Sequence, residues 1–250
     1  MAELHATSVV SGGEVGKTLC QCVAASSLMR VEEFMSQELS MTAWAFAKLH
    51  GRGLPKAQAS KARRAAGSSV LPAEVSRFMM ALAAVAQERL HQDSLSPQSV
   101  SNIAWALATL DLLGTTLIKA RSNHLPARQF IVAAMSYAES RLEQYSPQAV
   151  ANLLWAAVRL EKVQVQTKAV SRFATACAKE GMLRMLEFTW RDLAGIAAAL
   201  SYCTLQNQES VGYLTLLVGH AQGHCHELTP QAMLNITQAA VRIQVPAQYV

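Results

Sequence analysis

The side chains best suited to binding chemistry recur at one fixed spacing. An anchor residue, Gln in four copies and Arg in one, is followed by further positions four, seven and eleven residues later. Three copies read Gln98, Asn102, Trp105 and Thr109; Gln148, Asn152, Trp155 and Arg159; and Gln231, Asn235, Gln238 and Arg242. Two copies are less regular, with Gln37, Met41, Trp44 and Lys48, and with Arg191, Gly195, Ala198 and Tyr202. We call these positions (0, +4, +7 and +11 from the anchor) the motif face.

This set of side chains suits single-stranded RNA. Amides can form hydrogen bonds with base edges, and an indole ring can stack on a base. Lys48, Arg159 and Arg242 hold equivalent positions from which they could follow the phosphates. The candidate RNA-binding residues are Gln98, Asn102, Trp105, Gln148, Asn152, Trp155, Arg159, Gln231, Asn235, Arg242, Lys48 and Trp44, together with Arg63 and Arg64 of a basic segment.

A structural interpretation of the same residues stays open. A recurring Trp in a helical repeat is more often a packing residue between repeats than a platform for a base. The Asn side chains could equally form hydrogen bonds with a neighbouring backbone, since buried amides need partners. The basic column is the least suited to burial, although a solvated charged surface would also explain it.

The elements that must position the motif are helices. The anchors lie at 37, 98, 148, 191 and 231, and Ser or Thr before each copy predicts an N-cap oxygen. Pro97, Pro147 and Pro230 stand at the first helical turn, where a missing N–H costs nothing. Second helices are expected between the copies, over about 71–91, 125–144, 164–179 and 209–220. Each unit is therefore predicted to be a pair of helices.

Apolar columns within the copies predict the core. Positions +2, +5 and +12 carry mostly large apolar residues, and position +8 is Ala in every copy. A small residue at every copy predicts a close helix–helix crossing, where added volume would overpack. The columns comprise Leu39, Val100, Val150, Leu193 and Met233; Thr42, Ile103, Leu153, Ile196 and Ile236; Leu49, Leu110, Leu160, Cys203 and Ile243; and Ala45, Ala106, Ala156, Ala199 and Ala239.

The predicted fold is all-α, a right-handed α-solenoid of about five stacked antiparallel helix pairs. Residues 1–30 are expected to form an N-terminal segment with one helix, over Leu19 to Met29. Residues 31–250 are expected to form the helical-repeat domain, with a basic loop inserted at 51–69. Since Val245, Pro246 and Ala247 resemble the start of another helix, we expect the chain to be a fragment truncated at its C-terminus.

Charge, cysteine content and hydropathy indicate which partners and which cellular compartment are expected. The formal net charge of +5 permits a polyanionic partner. The five cysteines are odd in number and irregularly spaced, which argues against a disulfide framework and favours a reducing compartment. No apolar run reaches the roughly 18 residues of a membrane span, so no membrane partner is expected. No secretory or transit peptide is evident in the first thirty residues.

Enzyme signatures are weak. Residues 11–18, from Ser11 to Thr18, are similar to a phosphate-binding P-loop, but Ser replaces the first glycine and no βαβ pattern follows. His220, His224, Cys225 and His226 could bind zinc, but they have no companion cluster at finger-like spacing, and a polar loop is favoured. No paired carboxylates and no nucleophile elbow occur. We therefore predict no enzymatic activity and no cofactor.

The motif at Pro97 to Leu110 and Pro147 to Leu160 resembles the helical repeats of organellar RNA-metabolism proteins. These are the octotricopeptide and heptatricopeptide repeat proteins and the FAST-kinase-like proteins that often end in a RAP domain; a helical domain of the kinetoplastid RNA-editing substrate-binding complex is similar. The resemblance covers roughly residue 31 to the end. It implies binding of mitochondrial or plastid RNA, in the matrix or the stroma, for RNA processing, stability or translation. A protein-interaction scaffold without RNA contact is the alternative.

Overall fold

The computed structural model describes residues 18–51, 71–110, 125–161, 167–203 and 207–245. Within these ranges the chain is helical and contains no β-strand, which confirms the all-α class. The basic loop predicted at 51–69, including Arg63 and Arg64, lies outside the described residues apart from Gly51. The segment similar to a P-loop also lies outside them, apart from Thr18.

Motif-bearing helices alternate with helices that lack the motif. The described helices are α1 (18–28), α2 (Ser36–Gly51), α3 (Ala73–His91), α4 (Pro97–Thr109), α5 (Leu125–Glu139), α6 (Pro147–Glu161), α7 (Thr167–Leu183), α8 (Trp190–Tyr202), α9 (Gln208–Gly223) and α10 (Pro230–Ile243). The even-numbered ones, which we call motif helices, carry the five copies of the motif. The odd-numbered ones are called partner helices.

Side-chain caps start four of the motif helices, as predicted. The hydroxyl oxygens of Ser96, Ser146, Thr189 and Thr229 each accept a hydrogen bond from the backbone N–H three residues later, at 3.1 to 3.3 Å. This bond satisfies one of the orphan amides in the first turn. The prediction is wrong for the first copy, where Ser36 instead donates to the carbonyl oxygen of Ser94 at 2.8 Å. There the Glu38 carboxylate accepts from the Met35 N–H at 2.7 Å.

Short 3-10 turns correct two predicted helix boundaries. The helix expected to reach Gln144 ends at Glu139, because the chain bends through the turn Leu142–Gln144 before α6 begins. The helix expected over 164–179 spans Thr167–Leu183 and is followed by the turn Met185–Glu187. Arg184 stabilises this arrangement by donating to the carbonyl oxygens of Leu142, at 3.4 Å, and Tyr145, at 3.2 Å, in the preceding repeat.

Consecutive motif helices pack against one another. α2 contacts α4, α4 contacts α6, α6 contacts α8, and α8 contacts α10. Partner helices α3, α5, α7 and α9 contact one another in the same sequential order. The approach of α6 and α8 is close, since a Cβ atom at Gly195 would lie 3.9 Å from that of Ala151. Successive motif helices therefore lie directly against one another.

The predicted core columns are fully buried in the three internal copies. In the first copy and in the last copy, some of their residues are exposed. In copies two to four, positions +2, +5, +8 and +12 are all buried. The prediction is wrong for Ala45 and Leu49 in the first copy and for Met233 in the last, all of which are exposed. The reason is that each column needs a neighbouring motif helix to cover it. The described residues contain no motif helix before α2 or after α10.

Candidate nucleic-acid interface

The motif face is the side of each motif helix opposite a residue that is buried in every copy. An α-helix turns by about 100° per residue, so positions 0, +4, +7 and +11 fall within an arc of roughly 60°. Position +9 lies on the opposite side of that wheel. Its five occupants are all buried, and they are Phe46, Leu107, Ala157, Leu200 and Ala240. The motif face is therefore the surface of the motif helices opposite their buried side.

The candidate side chains lie partly or largely in solvent rather than in the core. The anchors Gln98, Gln148 and Gln231 are exposed, and the three Asn side chains at +4 are half-buried. Trp44 is 45% exposed and Trp155 is 37% exposed, whereas Trp105 is half-buried. Large aromatic rings that stay this accessible can pack against a neighbouring repeat and still offer surface to a ligand. The exposure of the motif tryptophans is therefore compatible both with packing between repeats and with stacking of a base.

The amides of the motif face are oriented by one another. Gln98 donates from Nε2 to the Oδ1 atom of Asn102 at 2.8 Å, and Gln231 donates in the same way to Asn235 at 2.9 Å. In the first copy the equivalent donor, on Gln37, reaches the Met41 sulfur at 3.8 Å. The amino group of Asn and the carbonyl oxygen of Gln take no part in this bond. One donor and one acceptor on each pair can therefore address a base edge.

Cations lie over the aromatic rings of the motif face, and Lys48 connects two copies in this way. The Lys48 ammonium is 5.0 Å from the ring centroid of Trp44 and 5.2 Å from that of Trp105, so it bridges α2 and α4. The Arg159 guanidinium lies 5.5 Å from the ring centroid of Trp155, within α6. These distances are within the range of cation–π attraction. The series alternates aromatic and positive groups along the motif helices.

Tyr202 extends this series into the irregular fourth copy. The Arg242 guanidinium of α10 lies 5.5 Å from the Tyr202 ring centroid of α8. Sequence reasoning treated Tyr202 as a departure from the pattern and missed its role. The available signal was its +11 position, which is shared with Lys48, Arg159 and Arg242. An aromatic residue there can replace the missing Trp as the partner of a basic side chain.

The charge of the motif face has one sign. The chain contains 17 Asp and Glu residues, yet none occupies position 0, +4, +7 or +11 in any copy. Basic residues hold four of these positions, namely Lys48, Arg159, Arg191 and Arg242. A surface that carries basic groups without carboxylates attracts polyanions. Arg63 and Arg64, the other predicted basic contacts, lie outside the described residues.

The histidine cluster forms an aromatic stack. His220 lies 4.7 Å from Trp190 and 4.7 Å from His224, measured between ring centroids. Trp190 donates from Nε1 to the Glu227 carboxylate at 2.9 Å, and this bond is the main cause that lowers the pKa of Glu227. Among the described residues, no group of three His, Cys, Asp or Glu side chains is arranged to hold a metal ion.

Comparisons of the chain with protein-family models, with curated proteins and with solved structures found no match. The helices of the described residues include none that is both long enough and apolar enough to cross a membrane.

Proposed function

We propose that this chain is an RNA-binding helical-repeat protein whose motif face holds single-stranded RNA. Its five motif helices and their partners form a right-handed α-solenoid of stacked antiparallel pairs. The sequential contacts within each row of helices support this arrangement. In line with the resemblance to organellar RNA-metabolism proteins, the chain acts in RNA processing, stability or translation in the mitochondrial matrix or the plastid stroma.

One observation carries the proposal: the motif face combines stacking surfaces with positive charge and has no carboxylate. Lys48 lies between Trp44 and Trp105, and the Arg159 and Arg242 side chains lie over Trp155 and Tyr202. A base stacked on one of these rings has a cation within reach of its phosphate. Stacking of this kind contributes about 1–3 kcal/mol per base and tolerates any sequence.

The irregular copies argue against a strict code of one base per repeat. Met41 stands at the Asn position of the first copy, and the fourth copy has Gly195 and Ala198 where three other copies have Asn and three have Trp. These side chains offer neither amide nor aromatic ring. We therefore propose that stacking and phosphate contacts provide most of the affinity, with base-edge contacts confined to the Gln–Asn pairs.

A protein-interaction scaffold is the second candidate. Helical repeats often present an extended surface to peptides or subunits. The exposed part of Trp155, beside the Arg159 guanidinium, also resembles a protein-binding hot spot, because Trp and Arg are enriched in such places. The two candidates differ in their dependence on salt and on a polyanion.

The experiment that tests the proposal is fluorescence anisotropy of a labelled mixed-sequence RNA, titrated with the chain at several salt concentrations. We expect saturable binding whose log affinity falls linearly with log salt, by roughly 0.7 for each phosphate contacted. Triple reversal of Lys48, Arg159 and Arg242 to Glu should weaken binding strongly and lower the slope by roughly 2, since three contacts are lost.

The matched control reverses Arg77, Lys168 and Lys179 to Glu. These side chains are exposed on the partner helices α3 and α7, and the change in net charge is the same. This control should retain most of the affinity, and both triples should keep a cooperative thermal transition. Equal loss of affinity in the two triples would mean that only overall charge matters. Absence of binding at low salt would favour the scaffold.

A further inference from the structure

Neighbouring motif helices run in the same direction, with like ends side by side. At the N-terminal ends of α8 and α10, Trp190 donates to the Glu227 carboxylate at 2.9 Å. At their C-terminal ends, the Arg242 guanidinium lies 5.5 Å from the Tyr202 ring centroid. The contacts of Ser36 with Ser94 and of Lys48 with Trp105 join α2 and α4 in the same way. The motif face therefore has two edges, one at the N-terminal ends of its helices and one at the C-terminal ends.

The two edges differ in charge. Positions −7 to +1 of each copy, which we call the turn edge, contain eight carboxylates and four Lys or Arg residues over the five copies. Two of the arginines, Arg30 and Arg184, form ion pairs with Glu33 and Glu187. Positions +2 to +12 contain three basic residues and no carboxylate. Every copy has an exposed carboxylate at the turn edge, and these are Glu33, Asp93, Glu143, Glu187 and Glu227.

This charge difference favours phosphates at the C-terminal ends of the motif helices. An α-helix rises 1.5 Å per residue, so position +11 lies roughly 16 Å along the axis from the anchor. The Debye length at physiological ionic strength is only about 8 Å. A phosphate beside Arg159 or Arg242 is therefore largely screened from the carboxylates of the turn edge. A phosphate placed over the turn edge would lie beside those carboxylates and be repelled.

The order of side chains along a motif helix matches the order of groups in a nucleotide. The basic residue at +11 is followed by the Trp at +7, about 6 Å back along the axis, and by the Asn at +4, about 4.5 Å further. A nucleotide presents its phosphate, then the face of its base, then the pairing edge of that base. The Gln98–Asn102 and Gln231–Asn235 pairs each keep a donor and an acceptor for such an edge.

We propose that the RNA backbone crosses the motif helices along their C-terminal ends, with the bases directed toward the turn edge. This orientation rests on the proposed RNA-binding function and adds which end of each motif helix meets the phosphates. Because the pairing edges of the bases meet the Gln–Asn amides, the bound nucleotides must be unpaired. A fully paired duplex of the same sequence is therefore a poor ligand.

Two arginines of the motif face distinguish this orientation from its reverse. Arg242 lies at +11 and Arg191 at the anchor position, and both are exposed. Each is replaced by Gln, and the affinity for a labelled mixed-sequence RNA is measured by fluorescence anisotropy at several salt concentrations. Arg242→Gln should reduce the slope of log affinity against log salt by roughly 0.7, because one phosphate contact is lost. Arg191→Gln should leave the slope unchanged. Arg159→Gln repeats the first change in an internal copy and should have the same effect.

Glu143→Lys is a second probe of the turn edge, because Glu143 is exposed in the turn before α6. It adds a cation away from the phosphates and should also leave the slope unchanged. Thermal transitions close to that of the wild-type chain are expected for these exposed positions. An equal or larger loss of slope in Arg191→Gln, or effective competition by the duplex, would overturn the orientation while RNA binding itself stands. Absence of RNA binding at low salt would overturn the proposed function and the orientation together.

Discussion

Replacement of Ala106 by Leu tests the close packing between motif helices. Ala106 holds position +8 of α4 and has no exposed surface. Leu adds three carbon atoms to this fully buried site. Overpacking of this kind costs typically 1–3 kcal/mol. The change in helix propensity is small, because Ala and Leu are both strong helix formers.

The same substitution at Ala45 is a matched control. Ala45 holds position +8 of α2 and follows a Trp, as Ala106 does, but its side chain is exposed. Leu at such a site should change stability by less than about 0.5 kcal/mol. The comparison therefore separates the volume added to an interface from the effect of Leu on a helix beside Trp.

The assay is thermal unfolding followed by circular dichroism. For a chain of this length, 1 kcal/mol corresponds to roughly 2–4 °C in Tm. Ala106→Leu should then lower Tm by roughly 2–12 °C, and Ala45→Leu by less than about 2 °C. Ala156→Leu, at the same position one copy later and equally buried, should behave as Ala106→Leu does. Similar Tm values for Ala106→Leu and Ala45→Leu would contradict the close packing of position +8 between motif helices.

Three further predictions concern buried polar groups. Tyr213→Phe removes a fully buried hydroxyl that donates to the Leu193 carbonyl oxygen at 2.9 Å, and it should cost about 0.5–1.5 kcal/mol in thermal unfolding. Burial raises the pKa of Tyr213 well above its usual value in the folded chain. The folded chain therefore holds this proton more tightly than the unfolded chain, and the free energy of unfolding should fall as pH rises above about 10. That fall should be smaller in Tyr213→Phe; an equal fall would mean that other groups cause it. Cys177 is buried and its thiol pKa is raised by desolvation, whereas Cys225 is exposed. Ellman's reagent should therefore modify Cys225 in the native chain and Cys177 only after unfolding; rapid native modification of Cys177 would contradict this assignment.

Local signals predicted the helices well. The Ser and Thr caps of four motif helices act on an amide only three residues away, so the sequence contains both partners of each bond. The 3-10 turns escaped prediction because their stabilising contacts are distant. Arg184, for example, donates to carbonyl groups about forty residues earlier, a separation that no short pattern contains.

Whether the core-column side chains of the first and last copies are buried could not be predicted from residue type alone. Leu49 and Met233 match their columns in residue type, but a side chain is buried only where a neighbouring helix covers it. The partner of Arg242 escaped prediction for a similar reason. Its cation–π contact with Tyr202 joins two motif helices, and the spacing within either helix does not indicate it. The motif face itself was predictable, because helical periodicity alone places its four positions on one side.

The proposal that bases stack on the motif face is tested most directly by tryptophan fluorescence in a Trp190→Phe variant. The three remaining tryptophans, Trp44, Trp105 and Trp155, then all occupy position +7 of the motif face. Single-stranded RNA should quench their emission in a saturable way, with the same Kd as the anisotropy titration. Heparin, a polyanion without bases, should bind with little quenching. RNA that binds by anisotropy but leaves the emission unchanged would contradict the proposal and place the RNA on another surface.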